Sequence, residues 1–406
     1  MIVQKFGGSS VADPDKIRNV ARIAIGEKER GNQVVVVVSA MGKTTDNLLK
    51  LAHEITSDPD PREIDMLIST GEQISIAMLA IAIQSMGHPA RSFTGPQVGI
   101  LTDNAHRKAK IVHINDSVLR RELNEGRIVI VAGFQGMTMD NEVTTLGRGG
   151  SDLTAVALAA ALKADVCDIY TDVDGVYTAD PRIVPNARKL DRISYDEMLE
   201  LASLGAKVLH SRCVEVGKNF NVPIHVRSSF NLVPGTMVVQ EVKEMEDIVV
   251  SGVAYNRAEA KISVLGVPDR PGIAAKLFGM LGDRGVVVDM IIQNVGSSGL
   301  NDISFTVSKD DLTEALKIAD EFAKETGARE VISDRNIAKV SVVGVGMKSH
   351  SNVAATMFKA LAKNNINIQM ISTSEIKISC LIDEKDVDVA VRAIHDEFEL
   401  QEAVKS

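Results

Sequence analysis

The chain has 406 residues, enough for two or three domains, with 45% hydrophobic and 24% charged residues, the proportions of a soluble globular protein. Tryptophan is absent and aromatics make up 3%, so the core has to be built from Val, Ile, Leu, Ala and Met. A net charge of −9 with no basic stripe argues against a nucleic-acid partner.

The first residues read as a short strand (Ile2, Val3) and a glycine turn, Lys5-Phe6-Gly7-Gly8-Ser9-Ser10. They lack the basic and long apolar regions of a signal peptide, so none is expected. Asp13-Pro14 then opens a helix running toward Arg30, with Asp13 as N-cap and Pro14 at the first helical position, where a missing N–H costs nothing. Strand, glycine turn and helix start aim backbone N–H groups at one spot, which suits a phosphate, and Lys5 adds a cation. Taken alone, the segment fits an ordinary strand-to-helix turn equally well.

Further on, Val34–Val38, Ile128–Ala132 and 166–170 are continuous apolar strands separated by helical stretches. That alternation predicts a mainly parallel sheet covered on both faces. Ile64, Leu67, Ile68, Ile74, Ala77, Met78 and Ile81 keep one apolar helical face, and 153–162 is a nearly all-apolar helix. No apolar run approaches the ~20 residues of a membrane span. Cys167, Cys213 and Cys380 are scattered without metal or disulfide spacing, as reduced buried thiols of a cytoplasmic protein would be.

The pattern changes after 233–235, where a charged, linker-like stretch leads into an internal repeat. The segment 262–267 (ISVLGV) recurs as 340–345 (VSVVGV), each followed by loop, helix, two strands and a second helix. This is the ferredoxin-like split β-α-β unit. The first copy has its own fourth strand near 330–333, whereas the second lacks one, and 248–254 is expected to supply it. The expected domains are 1–235, a linker at 236–247, a first unit at 261–335, and a second at 248–255 plus 338–406.

Three loops carry candidate chemistry. Ser39-Ala40-Met41-Gly42-Lys43-Thr44-Thr45 approaches a P-loop, but Val37 stands where that pattern needs glycine. Ser39, Thr44 and Thr45 fit hydrogen bonding to a ligand or the capping of a helix. In 144–152, Asp152 excludes a dinucleotide fingerprint; Gly147, Gly149 and Gly150 let backbone approach a ligand, and Arg148 offers a fork for a carboxylate. In 171–182 the aspartate spacing fails as a calcium loop at Pro181. A nucleotide-edge loop fits better, with Tyr177 over a base, Asp172 on ribose and Arg182 at phosphate. Glu72 reads either as an ammonium partner or as a helix N-terminal charge.

Together these blocks resemble the aspartate kinases (aspartokinases) of the amino-acid kinase family, over essentially the whole chain, and the C-terminal repeat resembles a pair of ACT domains. The resemblance implies an α/β fold: an N-terminal αβα sandwich with a mainly parallel sheet, followed by two βαββαβ ACT units. It implies transfer of a phosphoryl group from ATP with Mg²⁺, the metal held mainly through the nucleotide and no protein metal site, to the β-carboxylate of L-aspartate. Lys5 and Asp152 become catalytic, with Asp152 orienting Lys5. Lys5, Gly7, Gly8, Ser9, Thr171, Asp172, Tyr177, Arg182 and Lys207 become the ATP site. Ser39, Thr45, Glu72, Arg148, Gly149, Gly150 and Ser151 become the aspartate site, Arg148 on the α-carboxylate and Glu72 on the ammonium. Asp269, Gly272, Ile273, Ala274, Asp289, Gln293, Asn294 and Asn367 become contacts for an inhibiting amino acid, lysine and/or threonine. The second ACT copy lacks the Asp-Arg-Pro-Gly pattern of 269–272. A cytoplasmic homo-oligomer joined through ACT domains is implied, without nucleic acid or membrane, and a shorter ACT-only subunit starting at Met245 is compatible with it. The competing readings are a glutamate or N-acetylglutamate kinase, which Glu72, the arginine loop and the ACT pair disfavour, and an inactive sensor, which intact Lys5, Arg148 and Asp152 disfavour.

Overall fold

The computed structural model describes residues 1–204, 208–231, 233–240, 249–295, 299–350 and 352–401, which fall into two compact units. The first spans Met1–Val176, Lys189–Ser203 and the described part of 207–243. It opens with β1 (Ile2–Phe6), α1 (Pro14–Glu29), β2 (Val34–Val38), α2 (Thr44–Ile55), α3 (Pro61–Ile68), α4 (Thr70–Ser85) and β3 (Ala90–Phe93). There follow β4 (Ile100–Thr102), β5 (Ile111–Ile114), α5 (Ser117–Asn124), β6 (Ile128–Ala132), β7 (Gln135–Met137), β8 (Val143–Thr145), α6 (Gly150–Leu162) and β9 (Val166–Thr171). The unit closes with β10 (Arg192–Ser194), α7 (Tyr195–Ser203), α8 (Ser211–Phe220), β11 (Ile224–Ser228) and β12 (Thr236–Val239).

An eight-stranded sheet, ordered β10-β12-β11-β9-β1-β2-β6-β3, is parallel except where β11 meets β12. Every residue of β2 and β6 is buried, which is why both read as unbroken apolar runs. Helix α1 starts as expected: the Asp13 carboxylate accepts the Lys16 N–H at 2.9 Å and Pro14 sits at the first helical position. A second sheet, β5-β4-β7-β8, is built from strands of three or four residues. Strands that short carry no readable period, so the sequence did not announce this sheet.

The apolar stretch after Pro61 needs two corrections. It is two helices, breaking at Ser69, and α4 packs through Glu72, Ser75, Ile76, Leu79, Ala80 and Ile83. Ile74 and Ile81, expected on the inner face, are 53% and 60% exposed. Helix α4 is apolar nearly all round, so the periodicity could not fix its phase. The stretch Pro61–Ser85 is also long and apolar enough, by composition, to cross a membrane, contrary to expectation. Half of its most apolar window is buried, and α4 lies against α1, β3 and β6 as a core helix does.

The second unit contains Tyr177–Arg188 and the described residues from 249 onward. Its elements are β13 (Gly252–Asn256), β14 (Glu259–Pro268), α9 (Ile273–Asp283), β15 (Val288–Val295), β16 (Leu300–Ser308), α10 (Leu312–Thr326) and β17 (Glu330–Asp334). They continue with β18 (Ile337–Val343), α11 (Val353–Lys363), β19 (Met370–Thr373), β20 (Lys377–Asp383) and α12 (Val387–Glu397). Two antiparallel sheets result, β15-β16-β14-β17 and β13-β18-β20-β19. Strand β13 lies antiparallel to β18, Gly252 opposite Val343, and so takes the fourth-strand position of the second sheet. Met290, Ile337, Met370 and Leu381 join in one small apolar cluster. Beside it the buried Lys339 ammonium meets Glu259 at 2.5 Å and also Asp289. Burial pushes that ammonium's pKa down, but the two carboxylates outweigh it and hold Lys339 above its ordinary value.

Candidate active site

The C-terminal ends of β1 and β2 meet the start of α6 and α4 at a cleft of about 320 Å³ in the first unit. Lys5, Gly7 and Gly8 form one wall, with Ser39, Ala40, Gly42 and Thr45 beside them. Glu72, Phe134 and Gly147 through Asp152 complete the lining. Gly8 has to be glycine: a Cβ there would stand 2.8 Å from the Ala40 carbonyl. Gly149 has a φ of +73°, and a Cβ on it would lie 2.4 Å from that of His210.

Four charged groups converge. The Lys5 Nζ stands 2.6 Å from the Asp152 carboxylate, both side chains nearly enclosed at 11% and 13% exposure. Asp152 lies in the first turn of α6, where the helix dipole favours a carboxylate. Glu72 is 3% exposed; its Oε1 accepts the Ala40 N–H at 3.1 Å, while Oε2 has no hydrogen-bond partner among the described residues. Burial raises its carboxyl pKa to about 7, against the opposing pull of the Ala40 N–H. Arg148 is exposed at the cleft wall, and among the described residues no carboxylate pairs with it. The cleft therefore offers an enclosed ammonium held by one carboxylate, a second carboxylate with an open oxygen, and an open guanidinium. Such a set complements a zwitterionic amino acid next to a polyanion.

The Amino acid kinase family matches residues 1–228, and the ACT domain matches residues 262–322 and 340–398. The aspartokinase of Pseudomonas aeruginosa is 56% identical over 402 residues, covering 98% of both chains. That of Mycolicibacterium smegmatis is 54% identical, over 98% of this chain and 96% of its own. The chain belongs to the aspartate kinases of the amino acid kinase family. Among solved structures, Escherichia coli aspartokinase III with aspartate and ADP aligns at a TM-score of 0.81 and 27% identity, over 98% of this chain and 99% of that one. The same enzyme with lysine and aspartate aligns at 0.75.

Of the residues the aspartate-kinase resemblance singled out, Lys5, Gly7, Gly8, Ser39, Thr45, Glu72 and 148–152 all line this one cleft. Of the threonine pair, the Thr44 hydroxyl donates to the Met41 carbonyl at 2.6 Å, whereas Thr45 lines the cleft. Ser9 is exposed on the turn after Gly8. Thr171 ends β9, directly after the pair in which Tyr170 lies opposite Phe6, and Asp172 follows it, with the Thr171 hydroxyl 3.0 Å from the Asp172 carboxylate. Tyr177 and Arg182 are not among the residues lining that cleft and belong to the second unit. There Arg182 pairs with Asp180 at 2.7 Å, and Ala179 and Val184 enter the core beneath the second ACT sheet. The Thr178 hydroxyl and His395 Nε2, 2.9 Å apart, are both buried. Lys207 and Met245 lie outside the described residues. Sequence reading missed Ala40, Gly42 and Phe134 in the lining; Phe134 has a φ of +71°, which no motif reveals.

In the first ACT unit, Gly272 caps α9 in the left-handed conformation and Ile273 and Ala274 begin the helix. The Asp269 carboxylate accepts from Asn301 Nδ2 at 2.9 Å, and the buried Oδ1 of Asn301 has no partner among the described residues. Gln293 and Asn294 lie on β15, an edge strand. Asp289 is already engaged by Lys339, a contact that the repeat pattern could not reveal. Asn367 is exposed just before β19.

Proposed function

We propose that the protein transfers the γ-phosphoryl group of Mg-ATP to the β-carboxylate of L-aspartate, giving 4-phospho-L-aspartate and ADP. The single observation that carries this reading is the meeting, in one cleft, of the Lys5–Asp152 pair, the open oxygen of Glu72 and the open guanidinium of Arg148. Arg148 takes the α-carboxylate and Glu72 the α-ammonium, which leaves the β-carboxylate directed at Lys5. A β-carboxylate oxygen attacks the γ-phosphorus and the bond to the bridging oxygen of ADP breaks. The attacking carboxylate is already ionised, so no general base is needed. Lys5 follows the charge on the transferring group, and the N–H groups of Gly7 and Gly8, with Ser9 beside them, receive phosphate. Thr171 and Asp172 border the nucleotide, and Tyr177, Arg182 and Lys207 remain proposed contacts of it. Ser39, Thr45 and the 149–151 backbone line the acceptor. Asp152 already faces Lys5 and Glu72 holds the Ala40 N–H, so magnesium arrives as part of the nucleotide substrate, held by phosphate oxygens and water.

The same reading makes the protein a cytoplasmic enzyme at the entry to lysine, threonine and methionine synthesis, inhibited by lysine and/or threonine through the ACT units. Subunits join through the edge strands β15 and β19, a shorter ACT-only chain being one such partner. Coupled ADP release with L-aspartate, L-glutamate and N-acetylglutamate tests the reaction. Turnover confined to L-aspartate is the expected result; preference for either glutamate, or no turnover with any acid, overturns it. Asp289→Ala should weaken end-product inhibition with basal turnover retained. Inhibition curves that superimpose on wild type would move the effector site away from Asp289.

A further inference from the structure

Several backbone polar groups of the segment that delivers Arg148 to the cleft are held by named partners. The Thr145 carbonyl accepts the Ala109 N–H at 3.0 Å, the Leu146 N–H donates to the Phe134 carbonyl at 2.9 Å, and the Gly147 carbonyl accepts the Gly150 N–H at 2.9 Å. The remaining contacts come from two side chains remote from the cleft lining. Asp65, on α3 and fully buried, accepts the Thr145 N–H at 3.1 Å and the Thr145 hydroxyl at 2.5 Å. It also accepts the Arg107 N–H at 2.9 Å and faces His106 Nδ1 at 2.9 Å. Arg212, in the first turn of α8, donates to the Leu146 carbonyl at 2.6 Å and to the Ala109 carbonyl at 2.9 Å.

The Arg107 turn is itself a support of the loop. Arg107 has a φ of +67°, and a Cβ on Gly147 would come 2.9 Å from its carbonyl oxygen. Asp65 thus holds both the strand entering the arginine loop and the turn beneath it, while Arg212 holds the same two segments from α8. A buried carboxylate with this many donors is costly to place unless all of them are fixed, so its position is shared by everything bound to it.

We propose that Asp65 and Arg212 are positioning residues for acceptor binding: they hold the 145–148 segment so that the Arg148 guanidinium meets the acid's α-carboxylate. The inference rests on the role proposed for Arg148. Displacing a substrate-orienting group by a fraction of an ångström to 1 Å weakens its contact far more than it disturbs the rest of the cleft.

The test uses the full-length enzyme with L-aspartate and ATP varied separately. Asp65→Asn and Arg212→Met should each raise KM for L-aspartate roughly 10- to 100-fold and leave KM for ATP unchanged. Arg212→Lys, which keeps one cationic donor, should fall between wild type and Arg212→Met. In an Arg148→Ala background, Asp65→Asn should add nothing further to KM for L-aspartate. If Asp65→Asn does not fold, Thr145→Val deletes one of the Asp65 bonds and carries the same comparison. Equal rises in both KM values, an unchanged KM with a lowered melting midpoint, or multiplicative effects in the Arg148→Ala background would each overturn the positioning role. If Arg148→Ala itself leaves KM for L-aspartate unchanged, the proposed role of Arg148 falls. If it raises that KM and Asp65→Asn does not, only the present inference falls.

Discussion

Replacing Lys5 by alanine is expected to lower kcat about 10²- to 10³-fold, the cost of removing one preorganised charge from a transition state, with KM for L-aspartate nearly unchanged. The side chain is placed for that role before any ligand arrives. It projects from the end of β1, is nearly enclosed, and its Nζ is held 2.6 Å from Asp152. The pair also has a structural cost to separate from the catalytic one, because Lys5→Ala leaves the Asp152 carboxylate enclosed without its cation. Adding Asp152→Asn to Lys5→Ala removes that stranded charge and should restore the melting midpoint. It should not restore kcat, since the cation aimed at the phosphoryl group is still missing. Steady-state kinetics and thermal melts on the wild type, the two single variants and the double variant separate the effects. A Lys5→Ala enzyme that turns over near the wild-type rate would remove Lys5 from the chemistry.

The parts of the site that sequence alone disclosed share one property: their chemistry is local in the chain. Lys5 with Gly7 and Gly8, and Arg148 between Gly147 and Gly149, stand out because close backbone approach and positive φ demand glycine at neighbouring positions. The ACT repeat was legible for a similar reason, since β14 and β18 carry near-copies of one strand. What stayed hidden depends on partners distant in sequence. Asp65 looks like any helix carboxylate until α3 is placed against β8, 80 residues away, and nothing marks Arg212 as the clamp on Leu146. Tyr177 and Arg182 were assigned to the nucleotide because they follow β9 directly. Residues 177–188 belong to the second unit, with Ala179 and Val184 in its core and the Thr178 hydroxyl beside His395. Glu72 was found by its neighbours in sequence, but its burial could only come from the packing of α4.

That burial has a measurable consequence for pH. With a carboxyl pKa of about 7, Glu72 is largely protonated in the free enzyme at pH 6 and must ionise to hold the substrate ammonium. KM for L-aspartate should therefore fall as pH rises from about 6 to 8 and then level, with kcat much less affected. Binding at pH 7 should release about half a proton per site, read by titration calorimetry in buffers of different ionisation enthalpy. The sign for folding is opposite. A folded-state pKa raised above 4.5 means the native chain binds more protons than the unfolded one between 4.5 and 7. Stability drains over that window as pH increases, by about 3 kcal/mol in all. Glu72→Gln keeps the Ala40 contact through its amide oxygen and never carries the buried charge. It should melt higher than wild type at pH 8, yet bind L-aspartate more weakly and without the pH dependence. Loss of binding together with gain of stability is the signature of a carboxylate kept for its ligand rather than for the fold. A Glu72→Gln enzyme with wild-type KM, or one that retains the pH profile, would assign the ammonium site elsewhere.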